Sequence, residues 1–154
     1  MDVTGFLDEA GIDFEVLEHK HTERAVDEAT ALGAAPEQVA KTLVLTTPGG
    51  NVRAVLPASA QVDLRKVGDL LGVSGKKVRL ASEDDLSRDY QEFELGAVPP
   101  FGGKADQVIL DRSLAERDSV VLEAGSHERS VRMKAADLAR LTGARVDDIS
   151  RRDR

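Results

Sequence analysis

Apolar residues along the chain recur at two spacings, every third or fourth position and every second position, and the switches between them predict a succession of short helices and strands. Residues 4–11 have helical spacing, with Thr4 placed to cap and Gly11 to terminate. Residues 14–18 alternate as a strand. Residues 26–33 read as a helix closed by Gly33, and residues 36–40 as a further helical turn opened by Pro36. Lys41 then opens the clearest hairpin in the sequence, in which two β-branched, apolar arms (42–47 and 52–57) flank the turn Pro48-Gly49-Gly50-Asn51. Residues 63–72 put Leu64, Val67, Leu70 and Leu71 on one helical stripe that Gly72 ends. Residues 78–81 read as a short strand, and Ser82-Glu83-Asp84-Asp85 has the spacing of a capped helix start. Periodicity vanishes over residues 96–103. Strands resume at 107–110, 119–123 and 130–133, with a turn at 124–128, and a last helix runs over 135–143. Helices and strands are intermixed while the hairpins require antiparallel pairing. The pattern therefore predicts an α/β chain of the α+β type, with a mixed, mostly antiparallel sheet or partial barrel and flanking helices.

Composition narrows the function classes. With 154 residues, 41% of them hydrophobic, the expectation is a single domain over residues 1–154 with one sizeable core. No apolar run approaches the roughly 20 residues that cross a bilayer, and Met1-Asp2-Val3-Thr4-Gly5 lacks the pattern of a signal peptide, so a soluble, cytoplasmic protein without a membrane partner is expected. The absence of cysteine excludes disulfides, thiolate metal sites and a cysteine nucleophile. A formal net charge of -7 argues against coating DNA or RNA by bulk attraction, so any RNA contact must be local. Arg65-Lys66, Lys76-Lys77, Arg79, Lys104 and the Arg151-Arg152-Asp153-Arg154 run are the basic stretches that could make such contacts or could be solvated surface. Four Phe, one Tyr and no Trp leave too few aromatic faces for a general single-strand binder.

The 96–103 loop is the strongest candidate for chemistry. Pro99 and Pro100 fix the local backbone, while Gly96, Gly102 and Gly103 permit unusual dihedrals and close approach of a ligand. Amides held by such a loop suit the oxyanion formed when water attacks an ester; an ordinary rigid connection is the plain alternative. Lys41 stands directly before an apolar strand, where a lysine either marks the strand's start or, at a pocket mouth, binds a phosphate or polarises a carbonyl. His19 and His21 would share one strand face but lack an obvious third ligand, so no metal or other cofactor is expected. His127 sits in a predicted turn, free to hydrogen-bond a substrate; Ser126 beside it does not make a convincing nucleophile–base pair. Glu94, two residues before Gly96, is placed to orient the loop through backbone amides.

In order and spacing these features resemble the YbaK/EbsC deacylases, relatives of the editing insertion of bacterial prolyl-tRNA synthetase. The resemblance rests on Val39-Ala40-Lys41-Thr42-Leu43-Val44-Leu45, on the Gly96-Ala97-Val98-Pro99-Pro100-Phe101-Gly102 run some 55 residues later, and on Ala124-Gly125-Ser126-His127. It extends over nearly the whole chain, from the His19 region to Asp137-Leu138. It implies a YbaK-like fold with a pocket for the aminoacylated 3′ end of tRNA, and hydrolysis of a mischarged aminoacyl ester without a metal or protein nucleophile. By that analogy Lys41, Gly96, Ala97 and Gly102 carry catalysis, with the ribose 2′-hydroxyl assisting. Val98, Pro99, Pro100, Phe101, Gly125, Ser126, His127 and His19 line the substrate. An aminoacyl-tRNA synthetase is a further candidate partner, and a small amino acid on tRNA(Pro) a candidate substrate. The chain departs from the family pattern at Ala25, where many relatives have Thr, and in Ala97-Val98-Pro99-Pro100, so amino-acid specificity does not carry over. A noncatalytic module that binds aminoacyl-tRNA or a small ligand, and a hydrolase of small esters, are the competing readings.

Overall fold

The structure, a computed structural model, describes residues 3–103 and 106–151; Lys104, Arg152 and Arg154 of the basic stretches lie outside them. The chain runs through α1 (Val3–Glu9), β1 (Phe14–Glu18), α2 (Ala25–Leu32), β2 (Ala40–Thr47), β3 (Gly50–Pro57), β4 (Gln61–Val62), α3 (Leu64–Leu71), β5 (Arg79–Leu80) and α4 (Glu83–Asp89). It continues with β6 (Gln107–Asp111), α5 (Arg112–Ala115), β7 (Ser119–Ser126), β8 (Arg129–Lys134), α6 (Ala135–Thr142), β9 (Arg145–Asp147) and β10 (Ser150–Arg151). Local chemistry sets several of these ends. The Asp63 carboxylate accepts from the amides of Arg65 and Lys66 to start α3, and Ser82 and Asp85 form a reciprocal capping box on α4.

Three sheets result: a five-stranded one in the order β5-β2-β3-β6-β9, a three-stranded one in the order β1-β8-β7, and the pair β10-β4. The β2–β3 hairpin is antiparallel with Lys41 opposite Leu56, whereas β3–β6 and β6–β9 are parallel. The fold is thus mixed as the pattern predicts, and the described strands do not close into a barrel. Alternation along β3 divides its side chains between two cores. Val52 and Ala54 join Leu45 and Ile109 under Val67 and the Leu64, Leu70, Leu71 stripe of α3, while Val55 joins Val44, Val108 and Leu110 against Val120, Leu122, Val131 and Met133 of the smaller sheet. A parallel bridge from Val39 to Val121 and the 2.8 Å bond from the Ala58 amide to the Val39 carbonyl link the two larger sheets just before Lys41.

The expected turn at 124–128 is narrower than its Gly-Ser composition suggests. Strand β7 continues to Ser126, with an irregular register between Glu123 and Ser126 where Gly125 adopts φ +86°. The short elements β4, α5, β9 and β10 have no periodic signal because two to four residues cannot display one.

Candidate functional site

Where the two larger sheets meet, a pocket of about 280 Å³ opens between the start of α2, the first half of β2, the 96–98 stretch and β7. Lys41, Gly96, Ala97 and Val98 line it together, with Glu23, Arg24, Ala25, Val26, Ala40, Thr42, Leu43, Ala58 and Glu123. Residues separated by some 55 positions are thereby brought to one cavity. Lys41 is half-buried and makes no ion pair among the described residues; burial lowers its ammonium pKa below the ordinary value. Such a cation is cheap to engage with a phosphate or a polarised carbonyl because no carboxylate has to be displaced first. The Gly96 and Val98 amides donate no hydrogen bond among the described residues, whereas the Ala97 amide is spent on the Glu94 carbonyl at 2.9 Å. Of the loop amides at the pocket, those of Gly96 and Val98 are therefore available to a ligand.

Beyond Val98 the loop turns into the protein. Pro99, Pro100 and Phe101 are buried, and Phe101 stacks on Phe6 with ring centroids 5.4 Å apart. The Arg53 guanidinium, 1% exposed, donates to the Pro99 and Gly102 carbonyls at 2.7 Å each and pairs through Nε with Asp106 at 2.9 Å. It also lies over the Tyr90 ring at 5.1 Å, and the Tyr90 hydroxyl donates to Asp106. One buried cation thus satisfies two loop carbonyls that the prolines cannot help to pair. Gly102, with φ +83°, turns its carbonyl toward Arg53 rather than its amide toward the pocket lining.

A chain of buried polar groups backs the other wall. The His127 side chain is 4% exposed, with Nε2 2.7 Å from the Leu95 carbonyl and Nδ1 3.0 Å from Glu123 Oε2. A carbonyl only accepts, so Nε2 carries a proton and Nδ1 faces the carboxyl. Burial pushes the Glu123 carboxyl up to about 9, and the negative charges of Glu28 and Glu94 add to the rise. Glu28, fully buried, is raised to about 7 by burial, against the opposing hydrogen bond from the Ser130 hydroxyl. His19 Nε2 meets that hydroxyl oxygen at 2.8 Å.

These contacts place the remaining expected site residues. His127 is not a free turn side chain, because Nε2 is bonded to the Leu95 carbonyl, Nδ1 faces Glu123 and the ring packs beneath Gly96, where an added Cβ would meet Cε1 and Nε2 at 3.5 Å. Ser126 does not address it: the Ser126 hydroxyl accepts from the Glu128 amide at 3.1 Å. Gly125 packs against Phe93 and Val3, and His19 binds Ser130; neither belongs to the pocket lining, nor do Pro99, Pro100 and Phe101. Glu94 does bond a backbone amide, but it is that of His127 at 3.0 Å, and the loop is reached through Glu94's own carbonyl. His19 and His21 lie past the end of β1 rather than on one strand face. Among the basic stretches, Lys66 pairs with Asp148 and Arg79 with Asp85, while Lys76 and Lys77 are exposed. Glu123 and Arg53 belong to none of the motifs in the sequence. Each is a single charge in an otherwise apolar strand, Val120-Val121-Leu122-Glu123 and Val52-Arg53-Ala54-Val55, and that isolation was the available signal.

Most of the chain is similar in sequence or in fold to known proteins. The model of the aminoacyl-tRNA editing domain family matches residues 19–141. The chain is 31% identical over 141 residues to the multifunctional Ser/Thr-tRNA deacylase ProXp-y of Escherichia coli (strain K12), covering 88% of this chain and 83% of that protein. Among solved structures it is similar to a candidate trans-editing enzyme for prolyl tRNA synthetase, with a TM-score of 0.86, 28% identity and coverage of 97% of this chain and 95% of that one. The hypothetical protein APE2540 shares the fold, with a TM-score of 0.88 at 24% identity over 97% of this chain and 99% of that one.

Proposed function

From the premise that the chain belongs to the aminoacyl-tRNA editing domain family, we propose that it is a trans-editing deacylase that hydrolyses the ester of mischarged aminoacyl-tRNA in the cytoplasm. This reading is carried by the one pocket that joins the Lys41 ammonium to the Gly96 and Val98 amides, none of which has an ion pair or hydrogen-bond partner among the described residues. In this reading the terminal adenosine enters past the start of α2 and Lys41 holds the RNA end or the ester carbonyl. The two amides then stabilise the oxyanion as water adds, a contribution of about 3–4 kcal/mol for a well-aimed donor. The ribose 2′-hydroxyl beside the ester assists the attacking water. The small walls Ala25, Ala40, Ala58 and Ala97, in a cavity of about 280 Å³, favour a small amino acid, consistent with a relative that acts on Ser- and Thr-tRNA. An aminoacyl-tRNA synthetase is the source of the mischarged ester, and the whole chain acts as one editing domain.

A panel of tRNAs mischarged with Ser, Thr, Ala and Cys tests the reading. At least one should be deacylated well above its spontaneous rate, and the same ester carried on 2′-deoxyadenosine should be cleaved far more slowly. Cleavage of none rejects the enzyme; an unchanged rate on the deoxy substrate rejects assistance by the ribose. Competition by uncharged RNA separates this activity from that of a small-ester hydrolase, which would ignore it.

A further inference from the structure

Two carboxyls line the pocket, and burial separates their roles. Glu23 is 78% exposed at the mouth, where water screens it, whereas the Glu123 side chain is 11% exposed. Glu123 Oε2 stands 3.0 Å from His127 Nδ1 without a hydrogen bond between them, and neither carboxyl oxygen is hydrogen-bonded among the described residues, so the carboxyl is left for a ligand. His127 is itself pinned through Nε2 to the Leu95 carbonyl, so its ring is a fixed neighbour against the Glu123 carboxyl. Glu28 and Glu94 stand close enough to act electrostatically on Glu123, so this wall favours an incoming positive charge.

A charged aminoacyl ester carries such a charge two bonds from its carbonyl carbon. If the carbonyl lies against Lys41 and the Gly96 and Val98 amides, the α-nitrogen must lie within the same small cavity, where an ammonium leaving water requires an anionic partner. We infer that Glu123 is the receptor for the substrate's α-ammonium group, and that the pocket thereby rejects esters whose α-nitrogen is acylated, peptidyl-tRNA among them. This rests on the deacylase reading. Docking of the ammonium favours the ionised carboxyl, and the Glu123 proton leaves to water as the ion pair forms. An N-acyl group offers no charge and needs additional room.

The test uses whichever mischarged tRNA the wild type cleaves best, its N-acetylated counterpart, and the variants Glu123→Gln and Glu123→Asp. Rates are divided by spontaneous hydrolysis in the same buffer, because an α-ammonium also activates its own ester. Wild type should prefer the free amine by about 10- to 100-fold. Glu123→Gln should collapse that ratio to within about threefold, and Glu123→Asp, which keeps the charge but draws it back by one methylene, should fall between. Equal wild-type rates on both substrates overturn the inference whether or not the variants fold. So does a Glu123→Gln variant that slows both substrates alike and keeps the preference. Failure of wild type to cleave any ester instead overturns the deacylase reading itself.

Discussion

The loop over residues 96–103 has two halves held in opposite ways. From Gly96 to Val98 it lends a pocket two amides that donate no hydrogen bond among the described residues, while Pro99 to Phe101 are buried and the Pro99 and Gly102 carbonyls are fastened to Arg53. The comparison changes what the prolines are taken to do. They cannot hold the catalytic half alone, since they restrict only their own backbone and that of the residue just before, which is Val98; the guanidinium fixes the path on which that half stands. Precision at the pocket is therefore supplied by a charge cluster on the far side of the loop, among Arg53, Asp106 and Tyr90.

If the halves differ in this way, changes in the clamped half should cost stability first and changes in the open half should cost turnover first. The largest effect belongs to Arg53→Met. It leaves Asp106, 7% exposed, without its buried partner and two loop carbonyls unpaired, and urea unfolding should show a loss of about 3–5 kcal/mol. Retention of wild-type stability would remove the clamp from the account.

The polar wall behind the pocket predicts the next effect. Glu28 holds its proton up to about 7 in the folded chain, against an ordinary value of 4.5, so the folded state binds more protons between those pH values. Stability contributed by the neutral carboxyl is full below about 4.5 and falls as pH rises toward 7; Glu123 acts with the same sign up to about 9. Wild type should thus lose Tm from pH 5 to pH 8. Glu28→Gln, which can still accept from Ser130, should remove roughly 2–3 kcal/mol of that loss. Parallel thermal melts of the two proteins across this range would contradict the assignment if their slopes matched.

The smallest stability effect should accompany a clear kinetic one. At Gly96, φ +82° disfavours any L side chain, but an added Cβ meets His127 only at ordinary contact distance, so Gly96→Ala should cost about 1–2 kcal/mol. Its kcat should fall more than that loss implies, on the order of tenfold or more, because a relaxed backbone re-aims the amides. Equal falls in activity for Gly96→Ala and for an Arg53 variant of matched residual folding would erase the distinction between the halves.

The helices other than α5, the central hairpin and the loop were legible because each carries a period or a turn signal within about ten residues. Asp63 and Gly72 bracket α3, and Pro48-Gly49-Gly50-Asn51 joins β2 to β3. What stayed hidden depends on distant partners. Two-residue β4 exists because β10 pairs with it, and the parallel β9 because β6 does. Lys41 and Gly96 could be named as a pair from their order in the chain, while the direction of His127 could not: a turn composition says nothing of a strand that runs on to Ser126 and swings the imidazole inward. Glu123 and Arg53 were visible as lone charges in apolar strands, but which face each would take depends on sheets that join strands far apart in the chain, as β1 pairs with β8.

The central claim is that Lys41 and the open half of the loop act on one ester, and single-turnover deacylation by wild type and Lys41→Ala, on the best-cleaved mischarged tRNA, tests it most directly. Lys41 is half-buried and makes no ion pair among the described residues, so its removal should leave folding intact while the rate falls about 100-fold or more. A folded Lys41→Ala variant that cleaves within about threefold of wild type would contradict the claim.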